Sequence, residues 1–489
     1  MPTLVPQTQN GSLTDHQHGT NDTFIGFTFL YGDALAMYDD SQGGNDTLIG
    51  GDYSPQNELF GDATVMEDNS RGGNDTLTGG NFSTDNLLFG DAGHMSGHAI
   101  GGNDTLTGGS SNVFGASPST NTLYGDAFDM HGGARGGNDT LIGGDGPGFR
   151  FGPFFGVTNN LYGDADSLHD NVRGGNDVLT GGDGSTDNLF GDARLMDGAS
   201  HGGNDTLIGG VGAGGPVSFM SLYGDALEMH DHARGGNDDL TGGSGVRQMN
   251  LYGDARVIDG DGRGGDDTLT GGGASLAFLF GDAGSLSGNA RGGDDTLIGS
   301  DFGTNLLHGD ASQMDGASLG GNDTLIAGSS FSDVNGDALV MLDSAQGGGD
   351  TLVAGAGGSR MHGDAFQMSG NSRGGNDVLI SGAGTDHMWG DGEEINGVDA
   401  SPTAPTGTVV TGADTFVFAR DSGNDNIYDF RQSDHDRIDV SAYGFHDISD
   451  LAITGTGADT VIAFDAADGV TLVGLGDPTL LHASDFVFA

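Results

Sequence analysis

Aspartates recur along this sequence at two fixed positions of a repeated unit, each beside glycine. A Gly-Asp-Ala triplet occurs twelve times, and a block similar to Gly-Gly-Asn-Asp begins 11 residues after the start of every triplet. Aspartate carboxylates, together with carbonyl oxygens that glycine allows the backbone to turn inward, can provide the roughly six to eight oxygen ligands that Ca²⁺ prefers. The spacing therefore predicts calcium binding in every unit.

Two sets of predicted ligands follow from this pattern. The aspartates of the Gly-Gly-Asn-Asp blocks, called here the Asn-Asp column, are Asp46, Asp75, Asp104, Asp139, Asp177, Asp205, Asp238, Asp267, Asp295, Asp323, Asp350 and Asp377. The aspartates of the triplets, called the Gly-Asp-Ala column, are Asp33, Asp62, Asp91, Asp126, Asp164, Asp192, Asp225, Asp254, Asp282, Asp310, Asp337 and Asp364.

A simpler interpretation is that these aspartates only form Asx-turns at the corners of the chain. That interpretation suits a single Gly-Asp pair. Twelve carboxylates stacked about 4.8 Å apart would repel one another unless cations lay between them. The register of the repeats thus favours a cation over the purely structural role.

The elements that position these aspartates are predicted from three apolar columns per unit. A Leu stands two residues after every aspartate of the Asn-Asp column, a Leu-aromatic pair precedes most triplets, and a Met or another aliphatic residue follows each triplet. Short apolar segments between glycine-rich corners favour strands, and units of 27 to 38 residues favour a solenoid. We predict an all-β, right-handed parallel β-helix or β-roll of about 13 turns with a β-rich C-terminal cap.

Two windings are compatible with this unit length. Each unit can form one full turn, or one and a half turns of a two-sided roll. One turn per unit is preferred, because identical columns then stack directly on one another. The Leu and Met columns would fill a narrow core between the sheets.

Composition excludes several functions. The net charge of −55 opposes binding to nucleic acid or to an anionic membrane, and no apolar run is long enough to span a membrane. All 15 basic residues are Arg, and there is no cysteine to form a disulfide or a zinc-thiolate site. No common hydrolase or metalloprotease motif occurs, and a carboxylate pair repeated in every unit is structural. The chain is therefore predicted not to be an enzyme.

The segment Gly-Gly-Asn-Asp-Thr-Leu-Ile-Gly-Gly, present at 43–51 and 202–210, resembles the RTX, or haemolysin-type, calcium-binding repeat. The resemblance covers about 20–390 and assigns calcium to the Asn-Asp column. The Gly-Asp-Ala triplet departs from the RTX consensus, so its aspartates are predicted as ligands from their register alone. The tail is similar to the C-terminal region of RTX proteins, which implies export by a type I secretion system. Met1–Asp15 lacks the pattern of an N-terminal signal peptide, which agrees with that route.

We predict four regions: a lead-in at 1–18, a calcium-binding solenoid at 19–398, a linker at 399–410, and a cap with the secretion signal at 411–489. The expected function is that of a secreted, extracellular or cell-surface structural protein that folds on binding calcium. Alternatives are an adhesin that uses the Phe-rich insertion at 145–160 and, less favoured, a polysaccharide-modifying enzyme. Expected partners are calcium and the secretion machinery, with self-association and cell-surface polysaccharide left open.

Overall fold

The structure is a computed structural model that describes residues 11–111, 118–147, 156–212 and 219–489. It divides into two compact units. The first unit comprises residues 1–257 and 261–265, and the second comprises residues 258–260 and 266–489. Both are parallel β-solenoids, and their turns add up to about 12. The all-β solenoid prediction is confirmed.

Each coil of the first unit contributes one strand to each of three parallel sheets, because glycine-rich corners interrupt the apolar segments. The Thr-Leu sheet follows the Gly-Gly-Asn-Asp blocks and contains Thr23–Phe27, Thr47–Gly50, Thr76–Thr78, Thr105–Thr107, Thr140–Ile142, Val178–Thr180, Thr206–Ile208 and Asp239–Thr241. The Leu-aromatic sheet contains Phe29–Tyr31, Gln56–Phe60, Asp85–Phe89, Ser119–Tyr124, Val157–Tyr162, Thr186–Phe190, Phe219–Tyr223 and Gln248–Tyr252. The Ala-Met sheet contains Ser12–Leu13, Ala36–Met37, Val65–Met66, Ala92–Met95, Ala127–Met130, Ala165–Leu168, Ala193–Met196 and Ala226–Met229.

The second unit has the same three sheets, and strand Ala255–Ile258 lies at the chain boundary between the units. Its Thr-Leu sheet contains Thr268–Thr270, Thr296–Ile298, Thr324–Ile326, Thr351–Val353, Val378–Ile380, Thr415–Val417, Arg437–Asp439 and Phe486–Val487. Its Leu-aromatic sheet contains Leu276–Phe280, Thr304–His308, Ser332–Asn335, Ser359–His362, His387–Trp389, Asn424–Ile427, Ala452–Gly455, Thr460–Ala463 and Gly469–Leu472. Its Ala-Met sheet contains Ala283–Leu286, Ala311–Met314, Ala338–Met341, Ala365–Met368, Gly392–Ile395 and Val398–Asp399.

The strand register shows how many turns each repeat makes. Leu106 pairs with Leu141, and Met95 pairs with Met130, so equivalent residues of consecutive units are direct neighbours. In the second unit Leu279 likewise pairs with its equivalent, Leu307. One repeat therefore makes one turn, as preferred from the sequence.

The core consists of the predicted apolar columns. Every Leu of the Thr-Leu sheets is fully buried, as are most members of the Met column. The aromatic column forms a buried stack in the first unit, in which the ring centroids of Phe190 and Tyr223 lie 4.9 Å apart with nearly parallel planes. Alternation along a strand turns these side chains inward and their neighbours outward.

The tail closes the second unit. Strand Thr415–Val417 continues the Thr-Leu sheet in parallel, whereas Thr460–Ala463 pairs antiparallel with both of its neighbours. Short 3₁₀ helices occur at Ser441–Tyr443, Ile448–Asp450, Pro478–Leu480 and Ala483–Asp485. In the described ranges no helix has the length and apolar character needed to cross a membrane.

An asparagine ladder at one inner corner of the first unit was not predicted from the sequence. The side-chain amide of each member donates to the carbonyl oxygen of the next at 2.8 Å, through Asn57, Asn86, Asn121 and Asn159. Asn121 also accepts from the backbone N–H of Gly109 and donates to its carbonyl oxygen. The ladder therefore satisfies buried backbone groups at a corner that has no strand partner.

We expect Asn121→Ala to lower the free energy of unfolding by about 2 to 3 kcal/mol, because it leaves buried polar groups of Gly109 and Asn159 without partners. Chemical or thermal unfolding in excess calcium measures this change. Asn171→Ala is the control, since that side chain is exposed, and a surface substitution changes stability by about 0.5 kcal/mol or less. Equal effects of the two substitutions would contradict a structural role for the ladder.

Candidate metal centre

All 24 predicted ligand aspartates lie inside the solenoid and are at most 3% exposed. Within each compact unit, the backbone N–H of an aspartate of the Asn-Asp column donates to Oδ1 of the equivalent aspartate in the next coil. The first unit shows this bond from Asp46 to Asp75 at 2.6 Å, and the second unit repeats it from Asp295 to Asp323 at 2.8 Å. Each carboxylate is thereby held against the adjacent coil.

The Gly-Asp-Ala column explains the constant offset of 11 residues. In all twelve units, the backbone N–H of the second glycine of the Gly-Gly block donates to the carboxylate of the aspartate 11 residues earlier, as from Gly73 to Asp62 at 2.8 Å. A different offset would break this bond. The chain between triplet and block therefore tolerates no insertion, whereas the return path outside it does.

Many of these carboxylates keep one oxygen that is buried and has no hydrogen-bond donor in the described part of the chain. Nine belong to the Asn-Asp column: Asp46, Asp75, Asp104, Asp139, Asp177, Asp295, Asp323, Asp350 and Asp377. Eight belong to the Gly-Asp-Ala column: Asp62, Asp164, Asp192, Asp225, Asp282, Asp310, Asp337 and Asp364. A buried carboxylate oxygen without a partner is strongly unfavourable unless it is protonated or bound to a cation.

Glycines leave space beside the carboxylate oxygens of both columns. A Cβ added to Gly61 would lie 2.1 Å from Oδ2 of Asp75 and 1.7 Å from the carbonyl oxygen of Gly90. A Cβ added to Gly72 would lie 2.8 Å from Oδ2 of Asp62 and 1.6 Å from Oδ1 of Asp91. Each glycine thus borders a pair of oxygens that any side chain would displace.

Burial raises the pKa of the carboxyl groups in both columns. The pKa reaches about 7 for Asp46, about 9 for Asp75 and about 6 for Asp91, with removal from water as the largest cause. For Asp62 and Asp104, repulsion from neighbouring carboxylates raises the pKa further. In the absence of a cation, much of this interior would therefore hold protons at neutral pH.

The donor set fits a hard divalent cation. Within the two aspartate columns the unpartnered side-chain atoms are all carboxylate oxygens, and glycine residues and their carbonyl oxygens lie beside them. Between two adjacent coils, Asp62 and Asp75 of one coil, with Asp91 and the carbonyl of Gly90 of the next, are the groups that would hold such an ion. The positive charge would neutralise carboxylates that otherwise require protons.

In the second unit a buried arginine lies at the end of the two aspartate columns, which together are called the aspartate ladder. Nη1 of Arg431 lies 2.8 Å from Oδ2 of Asp391, whose Oδ1 accepts from the backbone N–H of Gly412. Arg431 is 4% exposed, and among the described residues it is the one buried arginine. At this position a guanidinium supplies the positive charge that the repeated carboxylates lack.

Sequence reasoning missed this end of the ladder. Asp391 lies in a Gly-Asp-Gly variant of the triplet, and Asp414 follows a Gly-Ala pair, so neither matches the repeat pattern. Even so, Asp414 accepts from the backbone N–H of Asp377 and donates its own N–H to Asp436, which extends the Asn-Asp column into the tail. A pattern that allowed Gly for Ala in the triplet, and Thr-Gly-Ala-Asp for Gly-Gly-Asn-Asp in the block, would have included both.

Fold and site together define a class: a parallel β-solenoid that buries two columns of in-register carboxylates. The sequence matches no protein-family model and no curated protein. The resemblance to RTX repeats therefore depends on the repeat motif alone, and the structure agrees with it at the level of a parallel solenoid.

The raised pKa values predict how pH acts on the cation-free chain. The unfolded carboxyl groups titrate near 3.8, whereas folded Asp91, Asp46 and Asp75 have pKa values of about 6, 7 and 9. At pH values between the unfolded and the folded pKa, the folded state binds more protons than the unfolded state, so the stability of the fold falls as pH rises. We expect chain dialysed free of divalent cations to show more β-structure at about pH 5.5 than at about pH 8.

Circular dichroism combined with sedimentation measures this, because sedimentation separates folding from aggregation near the isoelectric point. With saturating calcium the dependence should reverse, since protons then compete with the cation for the same oxygens. Cation-free β-structure that is independent of pH would show that the buried carboxylates are not the titrating groups.

Removing the positive charge at the end of the ladder should destabilise the second unit. Arg431→Gln leaves Asp391 buried without its partner, and we expect a loss of about 3 to 5 kcal/mol in the free energy of unfolding. Denaturant unfolding measures this loss. Arg373→Gln is the matched control, because Arg373 is exposed, and a change of about 0.5 kcal/mol or less is expected there. If both variants behaved like the unmodified chain, the ladder would not need Arg431.

Proposed function

We propose that this chain is a secreted calcium-binding β-solenoid with a structural role outside the cell or at its surface. The observation that carries the proposal is the imbalance of buried charge. The interior holds 24 in-register aspartates of the two columns, whereas the described residues contain one buried arginine and the sequence contains no lysine. Cations from solution are the remaining source of positive charge, and the oxygen donors favour calcium.

Calcium then acts as a switch for folding. Without it, repulsion and desolvation of the carboxylates oppose winding of the coils, so the chain stays loose enough for export by a type I system. Outside the cell, calcium near millimolar concentration is enough to fill sites of the weak extracellular kind, and the binding free energy becomes folding free energy. The resemblance of the tail to RTX C-termini supports this route.

A scaffold role without catalysis suits the uniformity of the coils. Each coil presents the same corner and the same three short strands, and calcium is the proposed partner in each. The adhesin alternative depends on the insertion at 145–160, of which residues 148–155 lie outside the described part of the chain. No observation on the described residues favours that alternative over the scaffold.

Replacing Asp323 should raise the stability of the calcium-free chain and weaken its folding response to calcium, so this residue offers a test in both conditions. Its Oδ1 accepts from the N–H of Asp295, and its Oδ2 has no donor among the described residues. Asp323→Asn keeps the shape and the Oδ1 contact but removes the charge. We expect the variant to be more stable than the unmodified chain without calcium, and to need on the order of tenfold more calcium to reach half-maximal folding.

Circular dichroism during a calcium titration reads both effects. Asp343→Asn is the control, since Asp343 is exposed and its left-handed backbone, with φ of 57°, suits Asn as well as Asp. Two outcomes would refute the proposal: a chain already fully folded in the absence of calcium at neutral pH, or an Asp323→Asn variant with an unchanged calcium midpoint.

A further inference from the structure

A cluster of histidines interrupts the repeat pattern on the outer face of the Ala-Met sheet in the first unit. His94 lies in strand Ala92–Met95 and pairs in register with Asp129 of strand Ala127–Met130. His131 follows the second strand directly. The residues before and after the inward Met point to the same outer face, because side chains alternate along a strand. Side chains from adjacent coils therefore meet at one surface position.

The distances within this cluster are short. Oδ2 of Asp129 lies 3.3 Å from Nδ1 of His94 and 3.2 Å from Nε2 of His131. The three donor atoms all lie within 4.8 Å of one another. The two imidazole rings stack with centroids 5.7 Å apart, which holds both nitrogens toward the same carboxylate.

These separations match those of a zinc site. A tetrahedral Zn²⁺ with bonds of about 2.0–2.1 Å separates its ligand atoms by about 3.3 Å along each edge. Two edges of such a tetrahedron are present between Asp129 and the two histidines. His94 and His131 are 54% and 40% exposed, so an ion can reach the position from solvent.

A third histidine from the next coil stands beside the cluster. Nε2 of His169 lies 3.7 Å from Oδ1 of Asp129, and this oxygen is buried without a hydrogen-bond donor among the described residues. The other ring nitrogen, Nδ1, lies 2.9 Å from Oδ1 of Asp197. A carboxylate on the far nitrogen of an imidazole fixes the tautomer that presents its Nε2 lone pair to a metal. Asp197 is therefore a positioning residue for His169.

We propose that His94, Asp129 and His131, with His169 as the fourth ligand, bind one zinc-like divalent transition-metal ion across three consecutive coils. The site is separate from the aspartate columns and does not depend on the proposed calcium function. Its imidazole donors suit Zn²⁺, whereas calcium prefers oxygen ligands alone. A bound ion would link adjacent coils on the outside of the sheet.

The competing explanation is a set of ordinary ion pairs between protonated histidines and Asp129. The two explanations differ in metal affinity. The test uses the full chain in saturating calcium, titrated with Zn²⁺ against a colorimetric zinc chelator, and with Co²⁺, whose visible absorption reports tetrahedral coordination. We expect one zinc ion per chain at the highest-affinity site.

His131→Ala should weaken this binding by at least about tenfold, and Asp197→Asn by about tenfold through its effect on His169. His232→Ala is the matched control, because His232 is an exposed histidine that also contacts a carboxylate, Asp261, at 3.4 Å. Circular dichroism in calcium confirms that each variant is folded. The proposal is overturned if the unmodified chain binds no zinc in excess calcium, or if His131→Ala and His232→Ala bind zinc equally well.

Discussion

Parallel coils place equivalent side chains about 4.8 Å apart, so whatever one coil carries is repeated by its neighbours. The consequence depends on the chemistry of the side chain. Leu and Phe gain contacts from repetition, and Asn both donates and accepts, so Asn86 and Asn121 satisfy each other directly. A carboxylate only accepts hydrogen bonds, so a column of aspartates cannot satisfy itself. This asymmetry governs the interior of the protein.

The backbone supplies a hydrogen-bond donor to one of the two oxygens of most of these carboxylates. An N–H from the preceding coil or from the following glycine block occupies one oxygen of most aspartates. The distance from triplet to block is constant because the bond from the glycine block needs it. The second oxygen must take a proton or a cation. The raised pKa values show that these carboxyl groups bind protons more readily than in water. The proposed calcium would take the place of those protons.

Two departures from the repeat place side chains of different chemistry on the solenoid, a buried arginine and a cluster of histidines. Arg431 supplies a buried positive charge where the ladder ends, and its guanidinium contacts Asp391 directly. On the outer face of the first unit, His94 and His131 occupy positions where most other coils carry different residues, and with Asp129 they give that sheet a local donor set of nitrogen and oxygen. Regular positions thus build the fold, and irregular positions carry local chemistry.

The sequence alone predicted the parallel solenoid, the inward Leu and Met columns and the register of the 24 aspartates, because stacked repeats place equivalent residues in the same environment. It left two windings open, and the strand register decided for one coil per unit. It did not reveal the bond from Gly73 to Asp62 or the pairing of Arg431 with Asp391. The histidine cluster was equally hidden, because return paths of different length separate His94 from His131 and His169 along the chain. Such contacts depend on register between coils and on side-chain direction, and only the tertiary structure decides those.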